Sequence, residues 1–454
     1  MSKEKKYKIV IVGSGISGLT IANELIASGY EKKDILVLES ENRHGGLINS
    51  LKKDGYLCEQ GPEGLRGNSD NSYRLFELAD KVPIEVSDES KVRYLVHKGK
   101  LKKVPSGPIS AITSPLIPFF GKLRIFREPF VKKKLENETI EQFMKRRLGK
   151  GILPIIDAFV SGIHGGDHTN LSIEHAFTTL KEYERSKGSI IRGALSSSKA
   201  KKKANKEKGI KKSKKKKPFL ITSDAGMNGL IDGLANKVNI EYSEPVTAVE
   251  KEGDKFVIST KSATYSASKV IVATGVNGTQ SISIMNETKL EKVLESYVTI
   301  VSLGFDESAF EKPIEGYGFL SPSKENTFVM GVLFTSRLFA EHAPKGKVHL
   351  RCFIGGARHP ERASMAEEQL ISNILSDLQT LVKVNGNPDF VQIMRNTEIG
   401  IPQMQLGHEK YVNWKNEMES KHEGLYLMGV GWNEISCSGL INEAMDLVEK
   451  LTTN

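Results

Sequence analysis

Six consecutive residues, Gly13-Ser14-Gly15-Ile16-Ser17-Gly18, and one acid, Glu39, carry the chemistry most directly legible in this chain. Gly13 permits a tight turn, Gly15 lets the backbone approach a pyrophosphate, and Gly18 lets a following helix lie close on a sheet. A helix starting there presents unpaired N–H groups and a partial positive charge to that anion. Glu39 follows about 20 residues later, where a carboxylate can accept the hydroxyls of an adenosine ribose. The elements needed to position these groups are in order: an apolar strand, Lys8 to Val12, a helix to about Ser28, and a second apolar strand, Ile35 to Leu38. A bare GxGxxG is a common turn; strand, helix and acid together predict a dinucleotide site.

The residues after Glu39 select the dinucleotide. Glu39-x-x-x-Arg43-x-Gly45-Gly46 resembles the flavoprotein pattern, in which two glycines return the chain beneath the pyrophosphate. Nicotinamide enzymes usually carry the unit without this tail. Glu59-Gln60-Gly61-Pro62-Glu63-Gly64 resembles the segment that passes the flavin ring. The expected cofactor is FAD, held for the life of the protein.

A chain of 454 residues has ample length for two or three domains. A charged start, Met1 to Tyr7, leading straight into a strand gives no sign of a signal peptide. No apolar run approaches the roughly 20 residues that span a bilayer. Three scattered cysteines, Cys58, Cys352 and Cys437, lack metal-ligand spacing and fit a reducing compartment, with the cytoplasm as default. The net charge of +10 is localised: Lys199 to Lys217 holds 12 lysines and one glutamate, a net of +11, leaving −1 elsewhere. Such an arm cannot bury itself. It reads first as a solvated loop and next as a segment drawn to an anionic membrane surface. Nucleic acid is not expected, because the arm has neither aromatics nor arginines to stack on or read bases.

Further along, Lys91 to Val104 alternates like a hairpin turning at Lys98-Gly99, and Arg93 within it is either a solvated edge charge or a ligand contact. Pro105 to Phe130 mixes Phe119, Phe120, Phe126 and Phe130 with Lys122, Arg124 and Arg127. This stretch fits a membrane interface or a helical hairpin over a substrate cavity. Thr139–Leu148 and Gly151–Ser161 are expected helices, and His164 in the glycine turn after them reads as structural. Val270 to Ala273 with Thr274-Gly275 marks a return to the nucleotide domain, so the region between Gly67 and about Phe219 is inserted. Tyr297 to Gly355 reads as an antiparallel substrate sheet. A closing strand enters a glycine turn at Val430-Gly431-Trp432, ahead of a last helix that could cap the flavin where charge grows on reduction.

Taken together these segments resemble the oxygen-dependent protoporphyrinogen oxidase group of the amine-oxidase-like flavoproteins. Phe159 to Asp167 with Leu171-Ser172 resembles FVSGxxAGDxxxLS, and Asp224 to Leu230 resembles GGMxxL. Tyr317 to Lys324 with Met330 to Ser336 resembles GFGxLxPSxE…LGxLFxS. Ile401 to His408 resembles IPQYxxGH, and Asn433 to Gly439 resembles NDCIxSG. The resemblance implies a six-electron oxidation of a porphyrinogen by FAD and molecular oxygen, with peroxide released. It calls for orientation and a dry flat slot rather than a nucleophile. It implies that Arg93 pairs with a substrate propionate and that Tyr317, Leu320 and Gly166 line the reacting macrocycle. It implies flavin contacts at Gly13, Ser14, Gly15, Ile16, Ser17, Gly18, Glu39, Gly46, Leu47, Gly61, Pro62, Glu63, Gly64, Val246, Val430, Gly431 and Trp432.

The implied fold is mixed α/β: a Rossmann-like FAD domain (1–88, 220–275 and 400–454), an antiparallel-sheet substrate domain (89–104 and 276–399) and a helical membrane-associated insertion (105–219). A place on the cytoplasmic face of a membrane follows, and a homodimer is compatible. Tyr317 in place of phenylalanine, a bulky Trp432, Ile435 in place of cysteine and Met404 in place of tyrosine depart from the pattern. Protoporphyrinogen IX is the expected substrate, with coproporphyrinogen III as alternative and a flavin amine oxidase or desaturase behind both. A non-catalytic carrier on the same fold is disfavoured by the intact glycine motif and Glu39.

Overall fold

The computed structural model describes residues 5–107, 110, 113–207, 218–396 and 399–453. The last ten residues of the lysine arm, 208–217, lie outside the described residues. The chain forms two compact units, one comprising 1–86, 218–294 and 409–454, the other 87–217 and 295–408.

The first unit is built on an eight-stranded sheet. Its parallel centre runs Ile240–Glu241, Ile35–Leu38, Lys5–Val12, Thr264–Val272 and Leu425–Leu427. Ile35 to Leu38 and Ile9 to Val12 are buried on both faces, as a continuous apolar strand in a two-sided sheet must be. Helices Ile16–Ala27, Gly226–Ala235 and Cys437–Thr453 cover one face, burying Leu19, Leu230 and Ile441 against Ile9 and Ile11. On the other face Val10, Val12 and Val272 meet the antiparallel strands Val246–Glu252 and Lys255–Thr260.

The second unit carries a seven-stranded sheet in the order Phe390–Arg395, Val298–Asp306, Lys347–Gly355, Gly331–Phe334, Gly318–Leu320, Arg93–His97, Lys100–Lys103. All neighbours are antiparallel except Gly318–Leu320 beside Arg93–His97. Lys98 and Gly99 both have positive φ (52° and 68°), the backbone a two-residue hairpin turn requires. One face packs Phe319, Val332, Phe334, Cys352 and Ile354 on the helix Glu367–Leu381. Side chains alternate across a strand, so Leu320, Leu333 and Phe353 share the opposite face.

The rest of this unit is helical. Ile140–Leu148 starts with a capping box in which Thr139 and Gln142 satisfy each other's backbone N–H groups. Leu153–His164 lies over Leu95 and Leu320 through Ile155 and Ala158. The lysine arm begins within helix Ile190–Glu207. A buried ionic network ties these helices together: Arg147 pairs with Glu128, and Lys181 with Glu184, all four fully buried. Glu128 also accepts from Ser189 Oγ (2.5 Å) and the N–H groups of Ile190 (2.9 Å) and Ile191 (3.2 Å), so it caps the arm's helix. Phe119, Phe120, Phe126 and Phe130 stay exposed, Phe120 at 81%. Among the described residues no helix is long and apolar enough to cross a membrane.

Candidate functional site

In the first unit the three glycines of the loop after Lys5–Val12 have three different surroundings. Gly13 has φ +101°, and a Cβ there would face the Ala273 carbonyl oxygen at 3.3 Å. A Cβ on Gly18 would stand 2.0 Å from the Gly13 carbonyl oxygen, which no side chain could tolerate. Around Gly15 there is nothing within 4 Å of such a position. Two glycines therefore close the turn and seat the helix, while the middle one leaves room beside bare backbone. Ser14, Ile16 and Ser17 are buried, and the Ile16–Ala27 helix begins with no side-chain cap, leaving its first N–H groups for an anion.

Glu39 is buried at the end of Ile35–Leu38. Its Oε2 accepts from the Ser14 N–H (2.8 Å) and Ser14 Oγ (2.5 Å), and its Oε1 from the Glu41 N–H (2.9 Å) and Ser40 Oγ (3.1 Å). The acid and the glycine loop thus touch directly. Arg43 folds the next four residues into a loop by donating to the carbonyls of Gly46 (2.7 Å), Ile48 (3.3 Å) and His44 (3.4 Å). The Gly45 N–H then reaches the Ser14 carbonyl at 3.0 Å, and a Cβ on Gly46 would meet Gly15 Cα at 3.5 Å. This is a second glycine edge along the open side of the first loop, the shape a pyrophosphate needs.

The remaining flavin candidates spread outward from there. Leu47 is half-exposed, and its carbonyl lies 2.3 Å from where a Gly61 Cβ would be; a Cβ on Gly64 would stand 2.6 Å from the Ile221 carbonyl. Pro62 and the buried Glu63 lie between. Val246 opens its strand two residues after Glu244, whose N–H donates to the Glu39 carbonyl at 2.8 Å. Gly429 packs on Ala273–Gly275, as Gly13 does, and the Val276 N–H bonds the Val430 carbonyl at 3.0 Å. Gly431 has φ +90°. Trp432 is different: its indole is fully buried and stacks on Trp414, with centroids 6.1 Å apart and planes within 4°. A contact from position 432 would come from its backbone. Sequence reasoning missed the trio His44, Tyr242 and Asp232, in which the His44 ring nitrogens lie 2.8 Å from Tyr242 Oη and 2.7 Å from Asp232. No local pattern joins residues so far apart.

In the second unit Arg93 pairs in register with Gly318, and its exposed guanidinium lies over the Tyr317 ring at 5.0 Å. Leu320 pairs with Leu95 and fills the space left by Gly162, where a Cβ would stand 2.5 Å from it. Register carries the surface on from Leu320 to half-buried Leu333 and Phe353, neither of which the sequence singled out. Gly166 is held in the turn after Leu153–His164, with no room for a Cβ against Gln403 Oε1 (2.6 Å) and Leu171 (2.8 Å). His164 is buried edge-on to Phe177, and burial holds its imidazole down to a pKa of about 4. It is a neutral packing group at pH 7. The unit therefore sets the Arg93 guanidinium and the Tyr317 phenol beside a sheet face that carries Leu320, Leu333 and Phe353 together with the buried Arg351, whose guanidinium lies 5.0 Å from the Phe353 ring.

Comparison with known proteins assigns the chain to a family. The family model for flavin containing amine oxidoreductases matches residues 16–437. The chloroplastic protoporphyrinogen oxidase of Nicotiana tabacum is 28% identical over 98% of this chain and 85% of its own length. The coproporphyrinogen III oxidase of Bacillus subtilis is 25% identical over 100% of this chain and 99% of its own. Among solved structures, a protein from Exiguobacterium sp. 255-15, provisionally assigned as a protoporphyrinogen oxidase, superposes with a TM-score of 0.77 at 19% identity, covering 99% of both chains.

Proposed function

The chain belongs to the flavin-containing amine oxidoreductases, with FAD as cofactor, and from that premise we propose that it oxidises a porphyrinogen to the porphyrin. What supports this most is the similarity, over essentially the whole chain, to oxidases of protoporphyrinogen and of coproporphyrinogen. Overall, three molecules of oxygen take six hydrogens from one porphyrinogen and leave as three molecules of hydrogen peroxide.

FAD supplies the acceptor for two electrons in each of three rounds. Gly15 and Gly46 would flank its pyrophosphate, and Glu39 would take its ribose in place of the Ser14 hydroxyl. The chain's own contribution to chemistry is orientation. Leu333 and Phe353 offer apolar surface, and the Arg93 fork matches a planar carboxylate. No acid or base is asked of the protein: His164 is buried and neutral, and pyrrole protons leave to water. Amine oxidation, the rival chemistry, is less well served, because an exposed arginine at that surface repels an ammonium substrate.

The exposed phenylalanines of Phe119–Phe130, beside Lys122 and Arg127, suit the headgroup zone of an anionic membrane, and the lysine-bearing helix capped by Glu128 adds charge. A cytoplasmic setting fits three cysteines that form no disulfide. The direct test is the rise of porphyrin fluorescence in air with protoporphyrinogen IX and coproporphyrinogen III side by side. A yellow protein that oxidises neither but releases peroxide from an amine would overturn the proposal. Protoporphyrinogen IX stays first and coproporphyrinogen III second, and the departures at Tyr317 and Met404 make the side-by-side assay the deciding one.

A further inference from the structure

Three side chains of the first unit meet beside the second glycine edge of the flavin site. His44 comes from the loop that Arg43 folds, Asp232 from the helix Gly226–Ala235, and Tyr242 from just past the strand Ile240–Glu241. His44 Nε2 lies 2.7 Å from Asp232 Oδ1, and its Nδ1 lies 2.8 Å from Tyr242 Oη. Both ring nitrogens are therefore in use. The backbone of the same loop sits on the same helix, because a Cβ on Gly45 would stand 3.1 Å from Ile231 Cγ2. The residues after Tyr242 are tied to the acid end of the site. There the Ser243 N–H donates to the Glu41 carbonyl (3.0 Å) and the Glu244 N–H to the Glu39 carbonyl (2.8 Å). His44 thus joins the loop of Gly45 and Gly46 to two elements that are far from it in the chain.

The two partners decide what this imidazole can do. An ionised carboxylate only accepts, so the nitrogen facing Asp232 carries its proton whether the ring is neutral or charged. A phenol both donates and accepts, so Tyr242 can donate to Nδ1 of the neutral ring or accept from Nδ1–H of the cation. Burial, and then the carboxylates Glu39 and Asp232, hold the Tyr242 phenol above its ordinary range, so its own proton stays on. The trio is hydrogen-bonded in both states, and only the charge differs. The other charges around it are constant. Asp232, Glu39 and Glu41 are anions, and Arg43 is a cation with Nε 3.0 Å from Glu41 and its Nη groups on the carbonyls of His44, Gly46 and Ile48. The His44 side chain is 24% exposed, enough to exchange protons with water. Histidine ordinarily changes charge between about pH 5 and about pH 8. FAD brings the negative charge of its pyrophosphate to the glycine edge two residues further on. We propose that His44 is a positioning residue for FAD that takes up a proton as FAD binds, so that flavin is retained more tightly as pH falls. The sign follows from linkage: the anion favours the imidazolium, the loaded protein holds more protons than the empty one, and the dissociation constant rises with pH. The inference rests on the FAD site alone and is independent of the substrate.

The test needs no turnover. FAD-loaded wild type, His44→Gln and Asp232→Asn are diluted in series at about pH 8, 7 and 6, and released flavin is read by its fluorescence. FAD itself has no group that titrates in that window. Wild type is expected to hold FAD about tenfold more tightly at the lower end than at the upper. His44→Gln keeps a neutral hydrogen-bonding group at the position, and its constant should vary by less than about twofold over the same range. Asp232→Asn alters a side chain that is 55% exposed and removes the acid that favours the cation. Its pH dependence should move to lower pH with flavin kept, which guards against misfolding of the glutamine variant. Calorimetry of FAD added back to the deflavinated full chain, in two buffers of different ionisation heat, counts the protons. Uptake of up to about one proton per FAD is expected in wild type and none in His44→Gln. The same pH slope in wild type and His44→Gln overturns the proposal. So does a His44→Gln protein that is weakened equally at every pH with its slope intact, since that is the behaviour of a neutral brace. An Asp232→Asn profile identical to wild type removes the acid from the trio and equally overturns it.

Discussion

Glu39→Gln isolates the negative charge at the ribose position with almost no change of shape. The wild-type carboxylate takes two donors on each oxygen, and on each side one of them is a backbone N–H: Ser14 on Oε2, Glu41 on Oε1. A glutamine has one carbonyl oxygen and one NH2 group. Flipping the amide does not help, since either orientation points NH2 at a backbone N–H that cannot rotate away. One buried donor is therefore unsatisfied, at a cost of about 1–3 kcal/mol to the apoprotein. A single hydrogen bond to a charged acceptor contributes about 1.5–3 kcal/mol, so losing one from a ribose hydroxyl weakens FAD binding roughly 10- to 150-fold. Two readouts are needed: FAD dissociation followed by flavin fluorescence, and the melting temperature of the apoprotein. The expected result is faster FAD loss together with a few degrees off the apoprotein melting temperature, and Glu39→Ala should purify largely without flavin. A lower melting temperature with unchanged FAD affinity would refute the ribose assignment and leave Glu39 as a brace for the Ser14 loop.

Three other outcomes are expected. Arg93→Ala should raise KM for the porphyrinogen about tenfold with flavin content and kcat kept; an unchanged KM would move the propionate elsewhere. His164 binds its proton more weakly folded (about 4) than unfolded (about 6.5), so the unfolded state takes up more protons between those values and stability falls on acidification from pH 6.5 to 4, by up to about 3 kcal/mol. His164→Gln should flatten that part of a urea-midpoint profile, and an identical profile would show that other groups dominate. Phe120→Glu, on the 81% exposed ring, should weaken sedimentation with anionic vesicles about tenfold or more, and deletion of Lys199–Lys217 should remove the salt-sensitive part of it. Unaltered binding in both would remove the membrane from this part of the chain.

The features legible in the sequence are those whose physics is local. Gly13 to Gly18, the helix behind them and Glu39 lie within one strand–helix–strand unit, and a left-handed turn at Lys98-Gly99 needs nothing beyond its neighbours. The substrate strip is another matter. Gly318–Leu320 lies parallel to Arg93–His97 across more than 200 residues of chain, and only that register sets Arg93 on Tyr317, while the antiparallel pairings with Gly331–Phe334 and Lys347–Gly355 bring Leu333 and Phe353 to the face of Leu320. Buried charge was equally hidden. In Arg124-Ile125-Phe126-Arg127-Glu128-Pro129-Phe130 every ionic residue has the composition of a surface, yet Glu128 is fully buried between Arg147 and the start of the lysine-bearing helix. A carboxylate is placed there only when its partners, 19 and some 60 residues away, arrive to offset its lost hydration. Trp432 shows the converse: a residue expected at the flavin from its place beside a glycine turn has its indole in the core, stacked on the parallel face of Trp414.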